Sequence, residues 1–318
     1  EYWMGSAWMQ IETFNPNLDG GARGVFSGGD PSRDTNMDYI TIATRGNGTD
    51  FGDFPISNGT GNRGIIGSNT RGFCCGGESP SAGDSHNVIG KWEFSSTGSA
   101  IDFANLTFTS KGGPGLSNAT RAVQARGYGA PSITHEDVCF FTMASQQDAA
   151  DFGDLISGSS YGGSGIASPT RGVIITSRSA SVNFVNDIEY VTIATTGSFV
   201  DFGDVTNIDN SDFTATAGNS TRGVLAGGQD SPNTQTEISY VTYATKGNTI
   251  KFGDLHTANS YAAAVSDSIT MITGGGQGAT NRMDAINIAT GGTSVDSGDL
   301  TVSKTTMTGS SNGHGGLG

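Results

Sequence analysis

The order of apolar and polar residues in the stretch DIEYVTIATTGSFVDFGDV, residues 187–205, predicts a β-hairpin. Side-chain type alternates with a period of two over residues 188–193, as is typical of a strand with two unlike faces. Gly197 marks a turn, and a second strand begins at Val200 and carries the aromatic residue Phe202.

Copies of this hairpin recur along the chain. They cover residues 37–54, 87–106, 136–155, 237–255 and 284–300, and the copies at 87–106 and 284–300 are degraded. The aromatic residue keeps the copies in register at intervals of 52, 49, 50 and 50 residues: Phe51, Phe103, Phe152, Phe202 and Phe252. Ser297 takes the equivalent place 45 residues farther on.

A second motif, TRGVLAGG in its clearest form, precedes each hairpin with the same period. Its arginines are 48, 50, 50 and 51 residues apart: Arg23, Arg71, Arg121, Arg171 and Arg222. A sixth copy, residues 269–275, lacks the arginine. Two motifs that share one period of about 50 residues, in units made almost entirely of strand, predict the blades of a β-propeller rather than a helical solenoid.

We therefore expect an all-β fold, a six-bladed β-propeller of four-stranded antiparallel blades over residues 19–318. In the second blade, the pattern predicts strands at residues 64–67, 71–75, 88–95 and 100–103. The first repeat lacks a copy of its innermost strand, whereas residues 305–311 resemble that strand in other repeats. A C-terminal strand is therefore expected to close the ring, which removes the exposed sheet edges that promote aggregation.

Residues 1–18 lie outside the repeat and are unusually apolar, with Trp3 and Trp8 among them. Such a segment needs to be covered. Two interpretations stand side by side: an arm or plug packed on its own propeller, or a docking arm for another subunit. Trp3 and Trp8 are the candidate contact residues of this segment.

The composition narrows the range of functions. The chain has 318 residues, 50 of them Gly, a net charge of −14 and only 14% charged residues. With 30 acidic and 16 basic residues, it offers no cationic surface for nucleic acid, and an anionic membrane repels it. No apolar run approaches the roughly 18 residues that span a bilayer, so we expect no membrane insertion. A neutral polar surface suits an extracellular or virion protein.

The sequence contains no clear catalytic or metal-binding motif. Cys74, Cys75 and Cys139 have no zinc-ligand spacing, and we expect them to be buried free thiols. The aspartates of the repeated DFGD turns, such as Asp201 and Asp204, favour turn capping over calcium ligation. His86, His135, His256 and His314 share no motif. We therefore predict no enzymatic activity, no cofactor and no metal.

Two interpretations apply to the repeated arginines. They either line a central channel as an anion-binding ring, or each pairs with an aspartate of a DFGD turn. We favour the structural pairing, because a residue that recurs in every blade usually serves every blade alike.

The segments after the second strand of a blade differ freely in sequence. They cover residues 30–36, 78–87, 177–186 and 229–236, and we expect them to lie on one face of the ring. Variable loops on a rigid scaffold commonly carry recognition. This face is therefore the candidate contact surface.

Three recurring features resemble the kelch repeat, although Phe replaces the usual Trp of the fourth strand. They are the Gly-Gly doublets that close the second strand, the tyrosine of the third strand (Tyr39, Tyr190, Tyr240) and the aromatic of the fourth. More specifically, TRGVLAGG with YVTIATTG and DFGDL is similar to repeats in virion proteins of marine tailed bacteriophages, over about residues 21–300. The resemblance implies a structural or adsorption role and no catalytic residues.

The expected function is thus a non-enzymatic structural and interaction component of a phage virion, in the tail or its fibres. Its expected partners are other virion proteins or copies of itself, with a host-surface glycan or receptor as a further candidate. The alternative is a cell-surface or secreted propeller that binds or cleaves glycans. A glycan-cleaving enzyme needs two carboxylates about 5–10 Å apart in a concavity, and the sequence singles out no such pair.

Overall fold

Each predicted repeat forms an antiparallel sheet in the computed structural model of the protein. The structure describes residues 21–31, 33, 35–54, 61, 64–78, 85–129, 135–156, 161–177, 185–206, 214–230 and 233–318, together with the paired strands Tyr2–Trp3 and Trp8–Met9. Six sheets stand around a common axis, which confirms the predicted six-bladed β-propeller. We number the blades 1–6 in chain order and their strands first to fourth from the axis outward.

The strands of the blades have the following bounds. The first strands are Thr308–Ser311 in blade 1, then Gly115–Ser117, Ser164–Ala167, Ala215–Gly218 and Ala263–Ser266 in blades 3–6. The second strands are Arg23–Ser27, Arg71–Cys75, Arg121–Ala125, Arg171–Ile175, Arg222–Ala226 and Thr270–Gly274. The third strands are Asn36–Thr41, Val88–Glu93, Asp137–Thr142, Asp187–Thr192, Glu237–Thr242 and Thr280–Asn287. The fourth strands are Thr49–Asp53, Ile101–Asn105, Ala150–Asp154, Val200–Asp204, Ile250–Asp254 and Val295–Lys304.

Three short elements complete the described structure. Gln229–Asp230 and Asn233–Thr234 pair as a small hairpin. Gly292–Thr293 pairs in parallel with the fourth strand of blade 5. A 3-10 helix, Gly315–Leu317, follows the last strand.

The C-terminal strand closes the ring as predicted. Thr308–Ser311 pairs antiparallel with Arg23–Ser27, so that Ser310 lies opposite Val25. An isolated bridge between Thr305 and Asp30 extends this contact. Blade 1 is therefore built from both ends of the repeat region.

Blade 2 differs from the prediction, since the expected first strand at residues 64–67 does not form. Its sheet has three strands, and Gly67 makes only an isolated bridge with Gly72. Gly64 instead makes a bridge with Gly165 of blade 4, and a Cβ atom on Gly64 would lie 2.3 Å from the carbonyl oxygen of Gly115. The segment stays beside its own sheet from Ile66 onward, since Phe73 N donates to the carbonyl oxygen of Ile66 at 3.1 Å and Ser68 N to that of Arg71 at 2.8 Å.

The apolar core lies between the blades rather than within them. Six clusters of buried residues each join two neighbouring blades, and the one between blades 5 and 6 also includes Ile65 of blade 2. Between blades 4 and 5, for example, Ile188 and Phe202 pack with Leu225 and Tyr243. Four of the predicted core aromatics, Phe51, Phe103, Phe152 and Phe202, are at most 5% exposed, and Phe252 is partly buried.

In blades 1–5, the pairing of the third strand with the fourth shifts register between the second and third residues of the third strand. Blade 6 has two such shifts, between Thr280 and Arg282 and between Met283 and Asp284. The residue at this bulge serves the contact with the preceding blade in at least two cases. Glu189 accepts a hydrogen bond of 2.8 Å from the main-chain nitrogen of Ile156, and Asp38 accepts one of 2.8 Å from that of Thr301. A bulge re-aims a side chain in this way without ending the strand.

The outer edge of each fourth strand meets the loop between the third and fourth strands of the next blade. Gly247 donates a main-chain hydrogen bond of 2.8 Å to Phe202, and Thr249 donates one of 2.9 Å to Asp204. Gly203 has a φ of +148°, and a Cβ atom on it would lie 2.5 Å from the carbonyl carbon of Gly247. The repeated glycine of the DFGD turn is therefore required by the neighbouring backbone.

Candidate functional site

The repeated arginines hold neighbouring blades together by binding main-chain carbonyl oxygens. Each donates from Nη1 to the end of the third strand of the next blade: Arg23 to Phe94 (2.8 Å), Arg71 to Met143 and Ala144 (3.0 Å each), Arg121 to Ile193 (3.0 Å), Arg171 to Tyr243, and Arg222 to Ala289 (2.8 Å). The predicted pairing with the DFGD aspartates is wrong. Because strand direction alternates, the arginine begins the second strand at one end of the blade, whereas the aspartate ends the fourth strand at the other.

Each guanidinium also lies over an aromatic ring of its own blade. The Cζ of Arg222 lies 4.0 Å from the ring centroid of Tyr240, and Tyr240 makes an edge-on contact with Phe252 at 5.0 Å. Blade 2 is the exception, because Lys91 replaces the tyrosine. There Glu93 accepts a hydrogen bond of 3.2 Å from Arg71 Nε and forms an ion pair of 2.9 Å with Lys91.

The alternative prediction, an arginine-lined channel, is wrong as well, because the first strands fill the axis. Their serine and threonine hydroxyls donate to main-chain carbonyl oxygens of neighbouring blades: Ser117 to Gly67 (3.0 Å), Ser164 to Thr214 (2.6 Å), Thr216 to Gly165 (3.1 Å), Ser266 to Gly218 (3.1 Å) and Ser310 to Ile66 (2.7 Å). Buried hydroxyls need such partners. The axis is thus a packed polar core.

His314 closes one end of this axis. The Nε2 atom lies 2.9 Å from the carbonyl oxygen of Gly67 and 3.4 Å from Ser117 Oγ, while Nδ1 accepts a hydrogen bond of 3.2 Å from the main-chain nitrogen of Gly316. These contacts identify a neutral ring with the proton on Nε2. Burial lowers the pKa of His314 to about 4. Sequence reasoning missed this role, because a histidine outside the repeat has no in-phase counterpart.

The ring has two faces of different character. The arginine face carries the turns between the first and second strands and the loops between the third and fourth strands. The loop face carries the connections between the second and third strands and those between blades. The described parts of the predicted contact segments 30–36, 78–87, 177–186 and 229–236 lie at the loop face; the remainder falls outside the described residues.

A cluster of charged and aromatic side chains lies on the loop face over blades 1–4. Glu78 Oε1 forms ion pairs with Lys111 Nζ at 2.8 Å and with Arg33 Nη2 at 3.2 Å. Lys111 Nζ lies 4.6 Å from the ring centroid of Tyr128, which contacts the ring of Tyr161 edge-on at 6.0 Å. This cluster joins residues of several blades on the predicted contact surface.

Two equivalent clefts open on the arginine face. The 2/3 cleft, about 410 Å³, lies between blades 2 and 3 and is lined by residues that include Asn69, Arg71 and Met143. The 4/5 cleft, about 350 Å³, is lined by Ser168, Thr170, Arg171, Ser220, Thr221, Thr242, Tyr243 and Ala244. An arginine of the repeat lines each cleft.

A third cleft, about 520 Å³, lies at the rim between blades 2 and 3 and includes Asp102 and Asp148. Asp148 Oδ1 accepts hydrogen bonds from Asn105 N at 2.9 Å and Asn105 Nδ2 at 3.3 Å. Asp148 therefore serves the contact between the two blades. Ala104 and Gln147 occur here where other blade contacts have paired glycines.

The three cysteines are buried thiols outside any disulfide bond, as predicted. Burial raises the pKa of the Cys139 thiol to about 12 and that of Cys75 well above its ordinary value. Across the described ranges, no three His, Cys, Asp or Glu side chains cluster in a way that could hold a metal ion. The same residues include no helix long and apolar enough to cross a membrane.

The N-terminal segment stays a prediction. The strand Tyr2–Trp3 pairs antiparallel with Trp8–Met9. The side chains of Trp3 and Trp8 lie outside the described residues, as does the rest of the segment up to residue 20.

The chain matches no protein-family model and no curated protein.

Proposed function

We propose that the protein is a non-enzymatic structural and interaction component of a phage virion, in the tail or its fibres. The propeller acts as a rigid scaffold. Its loop face contacts a neighbouring subunit or a receptor on the host surface.

The proposal depends on a difference in role between the repeated residues and the segments that vary between repeats. The repeated residues serve blade-to-blade contacts: Arg222 binds the next blade through Ala289, and Phe202 packs in the apolar core. The segments that differ between repeats, by contrast, leave the blades at the loop face. A rigid scaffold with variable loops on one side is typical of recognition proteins.

The repeat motifs support the finer placement. The doublets Gly28-Gly29, Gly76-Gly77 and Gly227-Gly228, with the tyrosine and aromatic residues of the third and fourth strands, are kelch-like. The combination of TRGVLAGG, YVTIATTG and DFGDL is similar to repeats of tail proteins from marine tailed phages. This resemblance favours a virion over a cell surface.

Immunogold labelling of purified phage particles tests the placement. An antibody to this chain is expected to label the tail or its fibres in negative-stain images, and pre-immune serum is the control. Particles that contain the genome and capsid but carry no label would overturn the proposal.

A hydrolysis assay tests the non-enzymatic part. Purified protein is incubated with envelope polysaccharide of the host, and newly formed reducing ends are measured against a heat-denatured sample. We expect no difference between the two samples. Turnover by the native protein would favour the alternative of a glycan-cleaving propeller.

A further inference from the structure

At the contact between blades 4 and 5, two cationic side chains lie near one aromatic ring, and one of them, Arg171, also lines the 4/5 cleft. The Cζ of Arg171 lies 4.6 Å from the ring centroid of Tyr190, and Lys246 Nζ lies 4.5 Å from the same centroid. Arg171 comes from the second strand of blade 4, whereas Lys246 comes from the exposed loop after the third strand of blade 5. The contact between these blades therefore places two positive charges around one ring.

Neither cation is neutralised by a described carboxylate. Within the described ranges, neither Arg171 nor Lys246 forms an ion pair, and the only side-chain hydrogen bond of Arg171 is from Nη1 to the carbonyl oxygen of Tyr243. The Nε and Nη2 donors of Arg171 are therefore available on the wall of the cleft. A guanidinium edge with two free donors matches an oxyanion.

A comparison with the 2/3 cleft shows that the two clefts differ in how far their positive charge is paired with carboxylates. The two clefts have similar size and occupy the same place in the ring. The arginine that lines the 2/3 cleft, Arg71, forms an ion pair with Glu93 at 3.2 Å, and Glu93 also pairs with Lys91 at 2.9 Å. One of these two positive charges is thus compensated, whereas neither charge at Tyr190 is compensated by a described carboxylate.

The position of Lys246 is also unique among the blades. Thr97, Gln146, Thr196 and Gly291 occupy it in blades 2, 3, 4 and 6. Arg45 occupies it in blade 1, but the facing residue of blade 6 is Thr270 instead of an arginine. Only the contact between blades 4 and 5 therefore combines the repeated arginine with a second cation at this place.

The rest of the cleft is lined with hydroxyl groups. Thr170, Ser220 and Thr221 are exposed there, and Thr242 is half-buried. Hydroxyls that both donate and accept hydrogen bonds suit a polyhydroxylated ligand. The volume of about 350 Å³ falls within the range of small-ligand sites.

We propose that the 4/5 cleft binds an acidic glycan, with Arg171 and Lys246 on its carboxylate or sulfate and the threonine and serine hydroxyls on the sugar. The site lies on the arginine face, opposite the proposed contact face. It is thus a second binding surface and does not depend on where the protein sits in a particle.

The net charge of −14 opposes the approach of any anion over long distances. At physiological ionic strength, however, charges more than about 8 Å apart are largely screened. Direct contacts with Arg171 and Lys246 therefore decide binding. A neutral sugar lacks these contacts.

Isothermal titration calorimetry on the full chain tests the site with four probes: tetragalacturonate, a sulfated galactan tetrasaccharide, maltotetraose and inorganic sulfate. We expect one acidic tetrasaccharide bound per chain, at least about tenfold more tightly than maltotetraose, since each charge-assisted contact contributes about that factor. The stronger of the two acidic probes identifies the oxyanion.

Two variants of equal charge provide the control. Lys246→Gln is expected to weaken binding of the acidic tetrasaccharide at least about tenfold. Lys251→Gln removes the same charge from an exposed residue of the same blade and is expected to leave binding unchanged. Lys246 makes no hydrogen bond within the described part of the chain, so its replacement leaves the fold intact.

A gain of binding gives an independent test. Glu93→Gln removes the carboxylate that pairs with Arg71 and Lys91. This variant is expected to bind a second acidic tetrasaccharide, in the 2/3 cleft. A stoichiometry that stays at one in Glu93→Gln would contradict the role given to charge compensation.

Several results would overturn the proposal. They are the absence of binding, equal affinity for maltotetraose, equally tight binding of sulfate alone, or equal loss of binding in Lys246→Gln and Lys251→Gln. Self-association that Lys246→Gln abolishes, without sugar binding, would assign the cleft to a carboxylate of a second copy. Immunogold labelling of the virion is unaffected by each of these results, so the two proposals fail separately.

Discussion

Arg23 Nη1 donates a hydrogen bond of 2.8 Å to the carbonyl oxygen of Phe94 and so joins blade 1 to blade 2. The same contact recurs at the next four blade contacts. At the seam between blades 6 and 1, Thr270 replaces the arginine. There Thr301 donates to the buried carboxylate of Asp38 from its main-chain nitrogen at 2.8 Å and from its hydroxyl at 2.6 Å. The seam therefore lacks the arginine contact but keeps the contact of the bulge residue, which Glu189 makes with the main-chain nitrogen of Ile156.

Replacement of a repeated arginine is expected to destabilise the ring. Arg121→Met keeps the aliphatic stem but removes the bond to Ile193 and the contact with the Phe140 ring at 4.3 Å. We expect a loss of about 1–3 kcal/mol in the free energy of unfolding, measured by urea denaturation. The control is Arg45→Asn, at an exposed residue with a φ of +59° that Asn tolerates. Equal stability of the two variants would contradict the role of the arginine.

The paired glycines at the rim give a second prediction. Gly203→Ala places a Cβ atom 2.5 Å from the backbone of Gly247, whereas Gly247→Ala meets no atom within 4 Å. Both residues have positive φ, at +148° and +137°, so the two variants share the backbone strain. Gly203→Ala is therefore expected to lower the midpoint of thermal unfolding more than Gly247→Ala. The reverse order would show that the blades do not approach as closely as described.

The repeat period allowed the sequence to predict the blades, the buried Phe51 and Phe202, and the closing strand. Each follows from position within a unit that recurs in phase. The partner of Arg171 was not predictable from its own repeat, because it lies on Tyr243, a main-chain acceptor 72 residues away in the next blade. Carbonyl oxygens leave no signature in side-chain patterns. For the same reason, the predicted pairing of the repeated arginines with aspartates of the DFGD turns is wrong.

The pairing of Gly64 in blade 2 and the place of His314 at the axis were not predictable for another physical reason. Gly64 matches the pattern of a first strand, but its bridge is with Gly165 of blade 4, so only the segment from Ile66 onward pairs with its own blade. His314 has no counterpart in any repeat, so nothing in the sequence indicated that it closes the axis. The charge of the 4/5 cleft likewise depends on Arg171 and Lys246, 75 residues apart, meeting at Tyr190.

The axial histidine predicts a loss of stability in acid. The pKa of His314 falls to about 4 in the folded protein from an ordinary value of 6.5. The unfolded chain therefore binds more protons between these values, and the free energy of unfolding decreases as the pH drops from 6.5 to 4, by roughly 3 kcal/mol. Above pH 6.5 this contribution is fully present.

Urea denaturation between pH 7.5 and 4.5 measures this effect. His314→Gln is expected to be less stable than the parent at pH 7.5, because it loses the buried contacts, but to lose less stability on acidification. His256→Gln, at an exposed residue, is expected to keep the parent's pH dependence. Parallel curves for His314→Gln and the parent would show that His314 is not buried in its neutral form.

Closure of the ring by the C-terminal strand is the central structural claim, and hydrogen–deuterium exchange tests it most directly. The main-chain amides of Thr308–Ser311 pair with Arg23–Ser27, so they are expected to exchange as slowly as those of Ala263–Ser266 in blade 6. Exchange of residues 308–311 at the rate of an unstructured peptide, while blades 2–6 remain protected, would contradict a closed ring.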